Sequence, residues 1–326
     1  MAVSVLFLGG SGEISQACVD RAVELGHKVT VFNRGNTAAH PEVESVVGDV
    51  REERQLQSIA KRDFDVVCQF LTYTAEDAER DAKFFAEHCG QFIFISTASA
   101  YQKPWYSGVI TEHTPLANPF MAYSRNKIAC EHLFSTTEGL PTTIVRPSHT
   151  YRTRLPSILI PGDHLLWRIL QDKPALVPDE GATLWTLTHA TDFAHAFCAL
   201  FGRHETIGES FHITDSNAHS WREIYSTIAA ACGKDLELVS VASNTLADAV
   251  PDWRGPLLGD KANSLVFDNA KIHSMVDGWQ CQISLAEGIE QSLKFAQERL
   301  AKGFSPEQDE LVDRLIRDYG KVMGTA

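Results

Sequence analysis

Two rhythms of apolar residues alternate along the first 150 positions. Short, nearly continuous apolar runs at Val3–Leu8, Lys28–Asn33, Glu44–Val47, Val66–Phe70, Gln91–Ser96 and Thr142–Arg146 read as strands buried on both faces. Between them, residues 12–26, 52–61, 76–89 and 122–138 carry apolar positions at helical spacing. In the first of these, Ile14, Ala17, Cys18, Ala22 and Leu25 share one face. Strands and helices alternating at these lengths predict an α/β chain: a doubly wound parallel sheet covered on both faces, with right-handed crossovers.

The rhythm breaks after Pro147. Pro147, Pro156, Pro161, Pro174 and Pro178 punctuate loops and short elements. Further on, Thr191–Phe201, Trp221–Cys232 and Leu285–Lys302 read as helices and Glu209–Ile213 as a strand. Pro306–Met323 reads as a polar, solvated surface helix opened by Ser305 at its N-cap. There is no internal repeat. The pattern predicts a core over 1–150 and a smaller C-terminal cap over 151–326, interleaved with a few returning core elements.

Composition narrows this picture. With 326 residues, 44% hydrophobic and 22% charged, the chain is an ordinary globular mixture that can bury a sizeable core. A net charge of −13 disfavours general nucleic-acid binding. The seven cysteines are scattered, without a Cys-x-x-Cys pair, which suits reduced thiols better than disulfides or a zinc site. No apolar run approaches the roughly 18 residues needed to span a bilayer, and no secretory signal opens the chain. A cytoplasmic protein with no membrane partner is expected.

The first strand runs into GGSGEIS, residues 9–15. Gly9 allows a tight turn, Gly10-Ser11-Gly12 allows close approach of a pyrophosphate, and the following helix aims its N-terminus at that anion. A glycine-rich turn alone is weak evidence. A strand before it, an amphipathic helix after it and a second strand at Lys28–Asn33 make it a dinucleotide fingerprint. Ser15 stands where the third glycine is usual; that glycine serves helix–strand packing, so a serine is tolerable there. The second strand ends in Asn33-Arg34 rather than an acidic residue, which favours NADP over NAD through an Arg34 contact to a 2′-phosphate. Glu13 would oppose the extra phosphate if it pointed that way. Asp49, in Gly48-Asp49-Val50, suits an adenosine contact, a helix N-cap, or both.

Two later stretches join this. FIFISTASAY, residues 92–101, is an apolar strand ending in hydroxyls, and YSRNK, residues 123–127, sets Tyr123 and Lys127 one helical turn apart. The spacing alone is that of many exposed helix faces; its place after a hydroxyl-rich strand end gives it weight. An ammonium beside a phenol lowers the phenol's pKa and fits it for proton exchange with an alcohol or ketone, while hydride passes to or from nicotinamide.

With GGSGEIS, GDV, FISTASAY, YSRNK, RPSHTY (146–151) and THATDFAHA (188–196), the chain resembles the extended short-chain dehydrogenase/reductase superfamily of the NAD-dependent epimerase/dehydratase type, over roughly residues 3–300. VFNRGNT and the stretch from Tyr73 to Asp77 look similar to its chloroplast stem-loop-binding-protein-like branch. The resemblance implies a Rossmann-type core with Thr97, Tyr123 and Lys127 as the catalytic set; Ser96 or Ser99 could replace Thr97 as the hydroxyl. It implies cofactor contacts at Gly9, Ser11, Gly12, Glu13, Ile14, Asn33, Arg34, Asp49, Val50, Leu71, Lys127, Pro147 and His149, and substrate contacts at Thr97, Ser99, Tyr123 and His149. Sugar 4,6-dehydratases of this kind carry Asp-Glu after the catalytic Thr; Ala98-Ser99 here argue against that elimination. A homodimer through the Tyr/Lys helix is implied by resemblance only.

The expected function is NAD(P)-dependent oxidoreduction or epimerisation at a secondary alcohol or ketone of a sugar or nucleotide-sugar. The alternatives are an idle nucleotide-fold binding protein, as the RNA-associated branch suggests, and a reductase of a non-sugar metabolite. His189 and His195 read as structural, and no metal site is expected. Asp192 reads as a helix cap, Trp185 and Trp221 as core, and Arg254 and Lys261 as solvated loop charges rather than phosphate ligands.

Overall fold

The computed structural model describes residues 2–36, 40–105 and 108–325. In the first half, β1 (Ser4–Leu8), α1 (Glu13–Glu24), β2 (Lys28–Asn33), β3 (Glu44–Val47), α2 (Glu53–Ala60), β4 (Phe64–Gln69), α3 (Ala75–Phe85), β5 (Cys89–Ile95), α4 (Ala122–Thr136) and β6 (Thr142–Pro147) follow one another. A seventh strand, Ser210–Ile213, returns from the second half to pair with β6. The order across the sheet is seventh strand, β6, β5, β4, β1, β2, β3, with every pairing parallel. The chain order reverses between β1 and β4, which opens a crevice at the carboxyl ends of those strands.

Alternation along each strand decides which layer its side chains serve. Val5 and Phe7 pack with α1 and the helix Ala190–Ala199, whereas Leu6 and Leu8 pack with α2, α3 and α4. Several element ends differ by a few residues from the sequence reading, and so does the cap of α2. Helix α3 ends at Phe85, because Glu87 adopts a left-handed φ of 65° and Cys89 already belongs to β5. Asp49 does not cap α2; Glu52 holds that place, and the Asp49 carboxylate takes the Arg51 amide and guanidinium instead.

The second half builds its own apolar core, which includes Trp185, Trp221, Tyr225 and Leu293. It carries a three-stranded sheet that the sequence reading missed. Glu237–Val241 pairs parallel with Ala175–Pro178 and antiparallel with Lys321–Thr325. The last helix therefore stops at Tyr319, and the chain leaves it as a strand. Nor is that helix merely solvated. Val312 and Leu315 are buried, and Asp309 pairs with Lys173 and with Arg168, whose side chain is 0% exposed. Ser305 does sit at its N-cap, but the hydroxyl bonds the Glu307 carboxylate rather than a backbone amide.

Asp192 is likewise no cap. His189 takes that place, its Nδ1 accepting the Thr191 N–H at 3.4 Å, while Asp192 accepts the amide of Ile283 at 3.0 Å. His195 is exposed on the same helix. All seven cysteines are free. Among the described residues, no helix is long and apolar enough to cross a membrane and no cluster of His, Cys, Asp and Glu could hold a metal.

Candidate active site

The turn after β1 depends on Gly10. Its φ is +101°, and a Cβ there would stand 2.8 Å from Val31 Cγ1. The turn delivers the chain to the N-terminus of α1, where first-turn amides have no i−4 partner and face the cleft. Ser15 has a positive role: it is buried and its Oγ accepts the Gly12 N–H at 2.9 Å. The residue that replaces the third glycine thus caps its own helix.

Glu13 lines the cleft, but its carboxylate is taken up by residues 152–154. Its carboxylate accepts the amides of Arg152, Thr153 and Arg154 at 3.2, 2.8 and 3.2 Å, and the Thr153 hydroxyl as well. Burial acts to raise its pKa, but these hydrogen bonds and the Arg152 charge outweigh it and hold the carboxyl below its usual range. The repulsion foreseen between Glu13 and a 2′-phosphate therefore has no geometric basis.

Two cavities share Gly9, Ser11, Leu71 and Tyr73. One, of about 360 Å³, runs past Asn33, Arg34, Asp49 and Val50. The other, of about 500 Å³, runs past Glu13, Ile14, Thr97, Tyr123, Lys127 and Pro147. The first suits an adenosine and the second a pyrophosphate and nicotinamide ribose, so the residues present fit a dinucleotide. Arg51 and Tyr73 line these cavities and were missed by the sequence reading. Arg51 follows the GDV motif directly; Tyr73 carried no signal beyond its place after β4.

The loop holding Leu71 and Tyr73 is fixed from below. Leu71 donates its N–H to Gln69 Oε1 at 2.7 Å, and Gln69 and Thr72 both donate to Asp81 on α3. Burial pushes the Asp81 carboxyl up to about 6. Thr72 in turn offers its carbonyl to Lys127.

Lys127 is almost wholly buried. Its Nζ donates to Thr72 O and Ile95 O, both at 2.7 Å, and lies 4.6 Å from the Phe94 ring centroid and 6.0 Å from that of Tyr123. Burial lowers its pKa to about 8. Tyr123 is 41% exposed, yet loss of hydration around its phenol, helped by Tyr73, raises the pKa to about 12 against the lowering effect of Thr97. The expectation that Lys127 depresses the phenol is thus not met in this state. The ammonium is engaged by two carbonyls, and desolvation of the phenol dominates.

Among the three hydroxyls after β5, Ser96 bonds Glu131, itself 2.7 Å from Arg146, and is withdrawn into that buried pair. Ser99 bonds Ser124 at 2.8 Å. Thr97 lies 3.0 Å from Ser99 Oγ and faces two cavities at once, the 500 Å³ cleft and a smaller one of about 130 Å³. Tyr123, Pro147 and Ser148 line both as well. Ser99 and His149 line only the small cavity, on the side away from the phosphate turn.

Lys261 corrects the sequence reading most sharply. It is not a solvated loop charge: its side chain is 15% exposed and lines the small cavity. Its Nζ lies 4.1 Å from the Trp185 ring centroid and 3.4 Å from His149 Nδ1. Trp185 is core, as expected, and is also this cation's platform. Arg254 does behave as a solvated charge, exposed beside Asp248 at 3.0 Å.

A family model described as "NAD dependent epimerase/dehydratase family" matches residues 5–214. Among curated proteins, the 2'-dehydrokanamycin reductase of Streptomyces kanamyceticus is 27% identical over 256 residues, covering 76% of this chain and 72% of that protein. The chloroplast stem-loop binding protein of 41 kDa b from Arabidopsis thaliana is 24% identical over 247 residues, covering 71% and 62%. Among solved structures, a UDP-glucuronic acid 4-epimerase from Bacillus cereus, in complex with UDP-glucuronic acid and NAD, is similar with a TM-score of 0.71 at 18% identity, covering 91% of this chain and 99% of that one.

Proposed function

Because the chain belongs to the NAD-dependent epimerase/dehydratase family, we propose that it catalyses hydride transfer between a nicotinamide dinucleotide and a secondary alcohol or ketone of a sugar or nucleotide-sugar. The observation that carries this reading is the meeting of two cavities at Thr97 and Tyr123. A dinucleotide held along the first brings its reactive end to the place where a substrate in the second presents its oxygen. When bound, the nicotinamide supplies hydride donation and acceptance.

The chain's own residues do the rest. The Thr97 hydroxyl holds the substrate oxygen. Tyr123 gives that oxygen a proton in the reducing direction and takes it in the oxidising one. Lys127 holds the loop and strand end together through its two carbonyl contacts and offers its remaining N–H to the cofactor ribose. Pro147 and Ser148 line both cavities and would border the nicotinamide.

NADP is the proposed cofactor in preference to NAD. Arg34 and Arg51 line the adenosine end, and β2 ends without a carboxylate. The carboxylates nearby are engaged, Asp49 with Arg51 and Asp77 with Arg80. Relatives and solved structures named as UDP-sugar epimerases support the substrate class. The stem-loop-binding relative favours a second reading, RNA binding without turnover, and the net charge of −13 weighs against it. A homodimer, suggested by family resemblance, is open to sedimentation.

The test is Tyr123→Phe. Turnover, followed by NADPH absorbance across a screen of sugar, nucleotide-sugar and non-sugar carbonyls, should fall about 10²–10⁴-fold with cofactor binding retained. Undiminished turnover in the variant overturns the role of Tyr123. RNA binding by a wild-type chain that turns over no substrate overturns the enzyme, and turnover confined to non-sugar carbonyls overturns the substrate class.

A further inference from the structure

The small cavity beside Thr97 and Tyr123 holds a charge that the proposed proton and hydride chemistry leaves unused. Lys261 Nζ sits over Trp185, donates to His149 Nδ1 at 3.4 Å and lies 3.4 Å from Asp260 Oδ2. An ammonium can only donate, so Nδ1 accepts and the imidazole proton rests on Nε2, a second donor. Burial, with the Lys261 charge added, holds His149 neutral.

A second buried lysine is acted on by the same Asp260 carboxylate. Lys103 is 3% exposed, its Nζ has no hydrogen-bond partner among the described residues, and the one charge acting on it is Asp260. Two buried lysines therefore act on one carboxylate; Asp260 lines the cavity with Lys261 while Lys103 does not, so the excess positive charge belongs to the buried cluster around Asp260 rather than to the cavity wall, and burial lowers the pKa of both lysines. A buried charge is tolerable only when paired. A neutral hydroxyl could accept a hydrogen bond here but would leave the excess charge in place.

The cation is positioned rather than incidental. Asn118 donates to Ser99 O at 2.8 Å and to Gly259 O at 2.7 Å, which ties the turn carrying Lys261 to the strand end carrying Thr97. The cavity's volume of about 130 Å³ is that of about four waters at ~30 Å³ each. That admits a small charged group.

We propose that this cavity is an anion subsite, in which Lys261 and the His149 Nε2–H bind a carboxylate or phosphoryl group that the substrate carries close to the carbon served by Tyr123. The inference rests on the proposed reading that a sugar-type substrate reacts at this cleft. It adds that the substrate is acidic.

The test reads binding and turnover separately. Protein labelled with ¹⁵N at histidine, with His149 assigned through His149→Asn, is titrated with D-glucuronate, α-D-glucose 1-phosphate and D-glucose. At least one acid should shift the His149 resonances saturably while glucose does not, and which acid does so separates carboxylate from phosphoryl. Lys261→Met should weaken that binding about tenfold or more and Lys261→Arg much less, since a charge-assisted hydrogen bond is at stake. Lys261→Gln repeats the test if the methionine variant melts early. Glucose acting like the acids, or acids binding Lys261→Met as they bind wild type, overturns the subsite. Oxidation of nucleotide-sugar alcohols with NADP+ and reduction of their keto forms with NADPH are measured alongside. Acid binding that follows Lys261 without turnover sinks the proposed function and keeps the subsite; turnover with indifference to acids does the reverse.

Discussion

Removing the Glu13 carboxylate should detach the phosphate turn from the cap, and the size of the effect can be worked from its bonds. Three backbone amides and the Thr153 hydroxyl converge on it. Hydrogen bonds to a charged acceptor contribute roughly 1.5–3 kcal/mol each when buried. Here the four share one half-exposed group and water can reach the vacated amides, so the total for Glu13→Ala is nearer ~2–3 kcal/mol. Glu13→Gln keeps one oxygen for the amides and can donate to Thr153, and should cost only ~1 kcal/mol. At about 2.1 cal/mol/K per residue over 326 residues, the unfolding entropy is near 0.7 kcal/mol/K. The melting point should therefore fall by about 3–4 °C for the alanine and 1–2 °C for the glutamine variant. The folded pKa of Glu13 is depressed, so its stabilisation is complete above the unfolded value of about 4.3 and is lost as pH falls through the folded one. Calorimetry at pH 7 and again near pH 3.5 checks both statements. An alanine variant melting within about 1 °C of wild type at pH 7, or a difference unchanged in acid, would refute the clamp.

Arg34→Ala should reduce the preference for NADPH over NADH by about tenfold in paired binding titrations, the usual contribution of one charge-assisted phosphate contact; an unchanged ratio removes Arg34 from that role. Gly10→Ala places a Cβ 2.8 Å from Val31 at a left-handed φ, and should cost ~1–3 kcal/mol of stability in denaturant melts together with most dinucleotide affinity. Asp309→Ala leaves the buried Arg168 with Asp313 alone, and should lower stability by ~2–4 kcal/mol at pH 7, against under 0.5 for the exposed Asp248→Ala. For ketone reduction, kcat/KM should fall as pH rises through about 8, where Lys127 discharges in the free chain; a flat profile to about pH 9.5 contradicts that dependence.

Most of the sheet was legible because its inner strands are buried on both faces and announce themselves as near-continuous apolar runs; β3, at the edge, is largely exposed. The proposed catalytic pair was legible because Tyr123 and Lys127 are local in sequence, one turn apart on a single helix. What was not legible is long-range. Glu237–Val241 was hidden because a short strand becomes one only when Ala175–Pro178 and Lys321–Thr325 lie beside it. Lys261 was read as a loop charge because its surroundings, Trp185, His149 and Asp260, come together only when the turn at 257–261 folds against the end of β5. Glu13 misled for the same reason: its partners lie about 140 residues away.

The state of the Tyr123–Lys127 pair bears on the direction of the proposed chemistry. A phenol at about 12 is a proton carrier at neutral pH, and an ammonium held by two carbonyls gives it little help in ionising. Such a pair is prepared to protonate an oxygen that gains negative charge, which is the demand of carbonyl reduction. Oxidation of an alcohol asks for the opposite, a phenolate, and that requires either a higher pH or an added positive charge near Tyr123. The oxidised nicotinamide carries one positive charge and the reduced form none, so the cofactor's redox state itself biases the phenol in the sense each half-reaction needs. An enzyme that cycles between the two directions on one substrate would depend on that bias; one that only reduces would not. Comparing the Tyr123 ionisation, by ultraviolet difference titration, with oxidised and with reduced cofactor bound separates the two designs. A pKa lowered only by the oxidised form favours the epimerase cycle, and one indifferent to redox state favours the one-way reductase.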